Sequence, residues 1–293
     1  MARRGKRRAL GDDRREPVEA RRPRSAAHRP FPRKRAGGMA LALMSGHSKW
    51  ATIKHKKAAT DAKRGRLWTK IIKEIQVAAR LGGGDVTANP RLRKAVALAK
   101  ANAMNADNIT KAIKRGTGEL EGQSYEEATY EGTGAGGTLF IVETLSDNKN
   151  RTVAELRKIF EKAGATLGTS GTAGWAFDRK GLIRIARSAA DEDKLMDLAV
   201  GAGADDYTDE GDTWLIATPP EMLDTVTKAL EAASITATES KLGYVPKNKK
   251  DVAGRDAELC MKLADTLDDH DDVQNVYADF DISDEEAARL SEG

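Results

Sequence analysis

The sequence is poor in the residues on which most site chemistry depends. Cys260 is the single cysteine among 293 residues, which excludes an intramolecular disulfide and a thiolate metal cluster and points to a reducing compartment, the cytoplasm. It reads as a small apolar core residue. The four histidines, His28, His47, His55 and His270, show no helical metal-ligand spacing. There is no G-x-S-x-G and no Walker loop. Carboxylates are abundant from residue 191 onward, but abundance on an acidic surface does not make an acid/base pair. The expectation is a protein that is not an enzyme, with no catalytic residue, cofactor, metal or small-molecule substrate. No apolar run approaches the roughly 18 residues of a membrane span, and Met39 to Met44 is too short for a signal-peptide core, so no membrane partner is expected.

Aromatic residues make up 5% of the chain, yet Val, Ile and Leu recur in short periodic runs, so folding is expected beyond the first few dozen residues. Charge is unevenly distributed. The net +4 is the sum of +10 in residues 1–44, +13 in residues 45–115 and −19 in the remainder. A basic head on an acidic body attracts a polyanion to one end and repels it from the other. The local +13 block, not the overall pI, is the argument for a nucleic-acid partner.

Residues 1–44 read as a disordered basic extension. Their composition of Arg, Pro, Ala and Gly has no helical or strand period. They are a basic arm, a transit peptide or the product of an upstream start codon. Asp12, Asp13, Glu16, Glu19 and the lone Ser25 stand against a transit peptide, and Met44 is the expected start.

Residues 45–121 read as a basic three-helix domain. Leu67, Ile71, Ile75 and Ala78, with Trp68, Ile72 and Ala79 alongside, make an apolar stripe that stops at Gly82-Gly83-Gly84. Asn89 caps a second helix with Pro90 at its first position. Asp107 is expected to cap a third, short one that Gly116 ends. Strands and helices alternate thereafter, giving an α+β fold with two ferredoxin-like αβ domains, one inserted in the other. Residues 181–239 spell βαββαβ, with strands at Leu182 to Ile185, Asp205 to Thr208, Thr213 to Ala217 and Ile235 to Glu239. A discontinuous αβ domain of residues 122–180 plus 240–284 accounts for the rest, with strands at Thr138 to Leu145, around Trp175 (Gly174 to Asp178), at Lys241 to Val245 and at Val273 to Phe280.

The densest chemistry lies in residues 46–75. Lys49, Lys54, Lys56, Lys57, Lys63, Arg64, Arg66 and Lys70 are the candidate phosphate contacts, since each cation meeting a phosphate releases condensed counterions. Trp50 and His55 interleave them. An exposed ring beside cations stacks on an unpaired base; the competing reading makes Trp50 the hydrophobic anchor of a helix whose lysines are merely solvated. The loop Asn148, Lys149, Asn150, Arg151 is a candidate partner contact, although Asn148 or Asn150 can equally cap the following helix. Gly132-Thr133-Gly134-Ala135-Gly136-Gly137 satisfies G-x-G-x-x-G by letter, but it opens a strand and not a helix, so it reads as a flexible turn. The run Asp268-Asp269-His270-Asp271-Asp272 reads as a solvated acidic loop.

The segment GHSKWATIKHKKAATDAKRGRLWTKIIKEI, followed by SDNKNRT and GWAFDRKG, closely resembles the YebC family of bacterial proteins, which includes the mitochondrial translational activator of cytochrome c oxidase. The resemblance runs from about Met44 to Tyr277. It implies three domains, one helical and two αβ, without a catalytic site. It also implies one of two roles: a DNA-binding transcriptional regulatory protein, or a ribosome-associated translation factor that relieves stalling. The lysine-rich segment from Lys49 to Lys73 suits backbone tracking more than bidentate base reading, which tilts the partner toward rRNA and the ribosome over promoter DNA.

Overall fold

In a computed structural model of the chain, the described residues are Met1, 61–283, 285–287 and 289. The first helix among the described residues, α1 (Asp61–Gly82), spans 22 residues, or roughly six turns. Its stripe of Ile71, Ile75, Ala78 and Ala79 packs with Leu92, Val96 and Ala99 of α2 (Pro90–Ala101) and with Ile109 and Ala112 of α3 (Ala106–Thr117).

Asn89 ties the bundle together. Its side-chain oxygen accepts from the Leu92 N–H at 3.0 Å, and its amide donates to the Ala78 and Gly83 carbonyls at 2.8 and 2.9 Å. One buried side chain thus caps the start of α2 and the end of α1. Asn89→Ala removes the cap and orphans two carbonyls, so it is expected to lower stability by about 2 kcal/mol in urea unfolding; Asn89→Asp, which keeps the cap alone, should cost less.

The third helix corrects two expectations. Its N-cap is Asn105, whose side chain accepts from the Asp107 N–H, and Asp107 sits in the first turn, where its charge favours the helix dipole. The helix runs past Gly116 and ends at Gly118, with φ +83°. Gly116 serves packing instead: a Cβ there would lie 2.5 Å from the Gln76 carbonyl oxygen on α1.

Two four-stranded antiparallel sheets follow. The first contains β1 (Glu126–Thr133), β2 (Leu139–Ser146), β3 (Thr166–Leu167) and β9 (Val273–Ala278) in the order β3-β1-β2-β9, with helices α4 (Lys149–Lys162) and α7 (Gly254–Asp268) in the same segments. The second contains β4 (Phe177–Ala186), β5 (Asp206–Asp209), β6 (Thr213–Thr218) and β7 (Ala237–Pro246), ordered β5-β6-β4-β7, with α5 (Glu192–Gly201) and α6 (Leu223–Ala232). That order is the ferredoxin-like one. The first sheet has the same order once β1, which precedes the unit in sequence, takes the place of the third strand. A short parallel pair, β8 (Lys250–Asp251) with β10 (Phe280–Asp281), completes the strands among the described residues.

The central strands of both sheets are buried on both faces. Phe140 and Val142 face α4 and α7, packing with Leu156, Phe160, Leu263 and the buried, free Cys260. Ile141, between them, turns the other way to meet Tyr277, Leu182, Leu215 and Val245, so the sheets pack against each other there. Ile183 and Ile185 point outward again, onto Leu195, Val226 and Leu230. This alternation explains why the strands read as continuous apolar runs.

Two strand expectations are corrected, and one strand, β1, had gone unread. Ile235 to Glu239 and Lys241 to Val245 are not separate strands: one strand, β7, crosses residue 239 and pairs with β4 from Phe177 to Ile185. The second sheet therefore reaches beyond 181–239 at both ends. Trp175 lies in a single turn of 3-10 helix (Gly174–Ala176), and the strand begins only at Phe177. Strand β1 had no sequence signal, because EEATYEGT buries only Gly132. That glycine is required by packing: a Cβ would meet the Phe160 ring at 2.3 Å. The G-x-G-x-x-G segment forms the β1–β2 hairpin turn, with Gly136 and Gly137 at positive φ.

Candidate nucleic-acid interface

Of the expected contacts, Lys49, Trp50, Lys54, His55, Lys56 and Lys57 lie outside the described residues. Lys63 falls on α1, and Arg64 is exposed just after it. The remaining two are paired with acids. Arg66 Nη2 lies 3.3 Å from Asp269 Oδ1. Lys70 Nζ donates to the Asp268 carbonyl at 2.5 Å and stands 3.6 Å from its carboxylate. One turn further on, Lys73 Nζ meets Asp272 Oδ1 at 2.5 Å and the Asp271 carbonyl at 3.0 Å.

The acidic run Asp268 to Asp272 is therefore solvated only in part: Asp269 and Asp271 are exposed, but Asp272 is buried. It follows the C-terminal end of α7, where the helix dipole disfavours acids and the last carbonyls lack partners. Cations from α1 offset both penalties.

Asp272 is the centre of this contact. Its side chain is buried and accepts from Lys73, from Arg151 Nη2 at 2.8 Å and from Thr152 Oγ1 at 2.7 Å. Burial alone would push its carboxyl up; the hydrogen bonds from Lys73, Thr152 and Arg151 outweigh it and hold the group at about 2.

The same network accounts for much of the candidate partner loop. Asn148 caps α4 by accepting from the Arg151 N–H at 3.1 Å, Lys149 pairs with Glu126 at 2.6 Å, and Arg151 bridges Asp147 and Asp272. Asn150 is exposed on the first turn of α4. An open groove of about 840 Å³ lies beside these groups, lined by Tyr125, Lys158 and Lys162 among others.

Glu155, His270 and Asp272 bring three metal-type ligand atoms within 4.8 Å of one another. The chemistry does not suit a cation. His270 Nε2 already bonds Glu155 at 3.0 Å, and an ion on Asp272 would have to displace Lys73 and Arg151.

Free positive charge sits elsewhere on the helical module. Lys111, Lys114 and Arg115 follow one another at helical spacing on the exposed side of α3, opposite buried Ile109 and Ala112. Among the described residues none of the three has an acidic partner. Lys100, at the end of α2, is exposed as well. The sequence reading passed over these three because it ranked segments by charge density; the signal available was their amphipathic spacing at i, i+3 and i+4. No helix among the described residues is long and apolar enough to cross a membrane.

Residues 48–119 match the TACO1/YebC protein N-terminal domain, and residues 125–280 match the TACO1/YebC second and third domain. A protein of Desulforapulum autotrophicum named probable transcriptional regulatory protein is 54% identical over 242 residues, 83% of this chain and 98% of that protein. One of the same name from Chlorobaculum tepidum is 51% identical, over 85% of this chain and 100% of its own length. The crystal structure of a conserved hypothetical protein from Aquifex aeolicus superposes with a TM-score of 0.76 at 41% identity, covering 81% of this chain and 98% of that one. With a helical bundle and two ferredoxin-ordered sheets, and with both segments matched, the chain belongs to the TACO1/YebC family.

Proposed function

We propose that this protein is a non-enzymatic, nucleic-acid-binding regulator of gene expression, acting as a ribosome-associated translation factor whose helical module contacts rRNA. The observation that carries the reading is the division of cations within the +13 block. Arg66, Lys70 and Lys73 are held by acids of α7 and the loop after it, whereas Lys111, Lys114 and Arg115 face solvent with no acid partner among the described residues. Two of those three are lysines, point charges that suit a phosphate backbone more than the bidentate reading of guanine. The alternative is a DNA-binding transcriptional regulator, which the names of the relatives favour.

The test is a titration of rRNA fragments and promoter duplexes against wild type and Lys111→Glu/Lys114→Glu over a salt series. Losing two phosphate contacts should weaken binding roughly fiftyfold at about 0.1 M salt and flatten the log–log salt slope by about 1.4 to 1.8. Unchanged affinity would remove α3 from the interface. Tighter binding of one promoter than of random duplex and rRNA would decide for the DNA reading.

A further inference from the structure

The helical module is held on the αβ body by charge. Arg66, Lys70 and Lys73 follow one another at helical spacing along one face of α1, and each takes an acid from the end of α7 or the loop after it: Asp269 at 3.3 Å, Asp268 at 3.6 Å and Asp272 at 2.5 Å. The other ties across this boundary are polar too. Arg91 on α2 meets Glu127 on β1 at 2.6 Å, Lys94 meets Asp224 on α6 at 3.1 Å, and Arg80 donates to the Ser124 hydroxyl and the Tyr125 carbonyl. The Lys73 ammonium also stands 5.3 Å from the centre of the Tyr125 ring. Among the described residues, the apolar cluster of the module contains no residue of the body, and the three clusters of the body contain none of the module. An exposed stretch without helix or strand, residues 118–124, leads from α3 toward β1.

Such a contact can be exchanged. Opening an apolar interface returns its surface to water, whereas ion pairs weaken with salt and can be replaced by another anion. The innermost pair is no obstacle. When the module lifts away, Lys73 and Asp272 regain water together, and Asp272 keeps Arg151 and Thr152 as donors. Carboxylates and phosphates accept the same charge-assisted hydrogen bonds from Lys and Arg, so these acids stand where phosphates can bind.

We propose that the acidic run Asp268 to Asp272 is an autoinhibitory mask: it occupies a phosphate-binding face of α1, formed by Arg66, Lys70 and Lys73, which a nucleic-acid backbone takes over when the helical module swings off the body. It rests on the reading of the protein as a nucleic-acid binder. Charge selects the occupant. A polyanion offers the three cations several acceptors at once, as the body does, whereas a lone anion replaces one. The body, net −19 beyond residue 115, repels a bound polyanion and so favours separation.

The test measures binding of a labelled RNA hairpin of about twenty base pairs at about 0.1 M salt by the full-length protein. Asp268→Asn/Asp269→Asn, which spares buried Asp272, should tighten binding roughly tenfold, the gain when a competent state rises from about a tenth to nearly all of the molecules. Asp193→Asn/Asp197→Asn makes the same change in net charge at exposed positions of α5, and should alter affinity by less than about twofold. Adding Arg66→Gln/Lys70→Gln to the unmasked variant should abolish its gain. Wild-type affinity in the unmasked variant, a gain matched by the α5 pair, or a gain that survives loss of Arg66 and Lys70 overturns the mask. If Lys111→Glu/Lys114→Glu loses binding in the same series, the proposed function still stands. Failure of wild type and the unmasked variant to bind the hairpin overturns both readings. Where the double variant does not fold, Asp269→Asn alone, at an exposed pair, should still gain roughly threefold; wild-type affinity there also overturns the mask.

Discussion

Asp272→Ala is expected to lower the free energy of unfolding by about 3–5 kcal/mol, because it strands buried Lys73 and leaves Arg151 and Thr152 without their shared acceptor. The loss should appear as a drop in the thermal or urea midpoint. Asp272→Asn keeps the shape and one acceptor, so it should cost less. A variant with wild-type stability would show that the α1 contact with the loop after α7 carries little of the fold's energy.

The same residue sets an acid limit. Its folded-state value of about 2 lies below the unfolded 3.8, so its stabilisation is fully present above about pH 4 and is lost as pH falls through 2. The shift corresponds to about 2 kcal/mol. Wild type should therefore lose stability between pH 4 and pH 2 more steeply than Asp272→Asn.

A second large effect is expected at Arg184, buried on β4 between two carboxylates. Its Nε lies 2.9 Å from Glu210 Oε2, and its Nη1 is paired with Glu239. Burial penalises the Glu239 carboxylate, but Lys241 and Arg184 outweigh it and keep the group well below the usual carboxylate range. Removing one partner leaves a buried charge, so Glu210→Ala and Arg184→Met should each cost about 3–5 kcal/mol. The double variant Arg184→Met/Glu210→Leu should recover most of that loss, because Glu239 retains Lys241 at 2.7 Å. Denaturant unfolding of the three variants checks this; additive losses in the double would mean that apolar side chains cannot fill the site.

Neither network was visible in the sequence. Arg184 sits in the apolar strand LIRIA, and its acids come from a turn and a strand 26 and 55 residues away. Period and capping were legible where they are local. Asn89 with Pro90 marked the start of α2 correctly, and the alternation in residues 181–239 spelled the order of the second sheet. Where short-range signals compete, the reading slipped. Asp107 and Asn105 are both good caps, and only the backbone decides that Asn105 is used. Trp175 looked like a strand residue because it is large and apolar, although its loop is shaped by Glu131 more than 40 positions earlier.

By itself the sequence determined the class: a basic helical head on an acidic αβ body, with motifs specific enough to indicate the family. These properties are local or compositional, and a linear chain displays them in full. Only the tertiary structure decided which cations of that head are free. Lys70 and Lys73 are as basic as Lys111 and Lys114 in any count, but their acids arrive from about 200 residues away, on the end of α7 and the loop after it. Pairing depends on distance in space, so charge density located the basic module, and the fold decided which of its described cations are paired with acids.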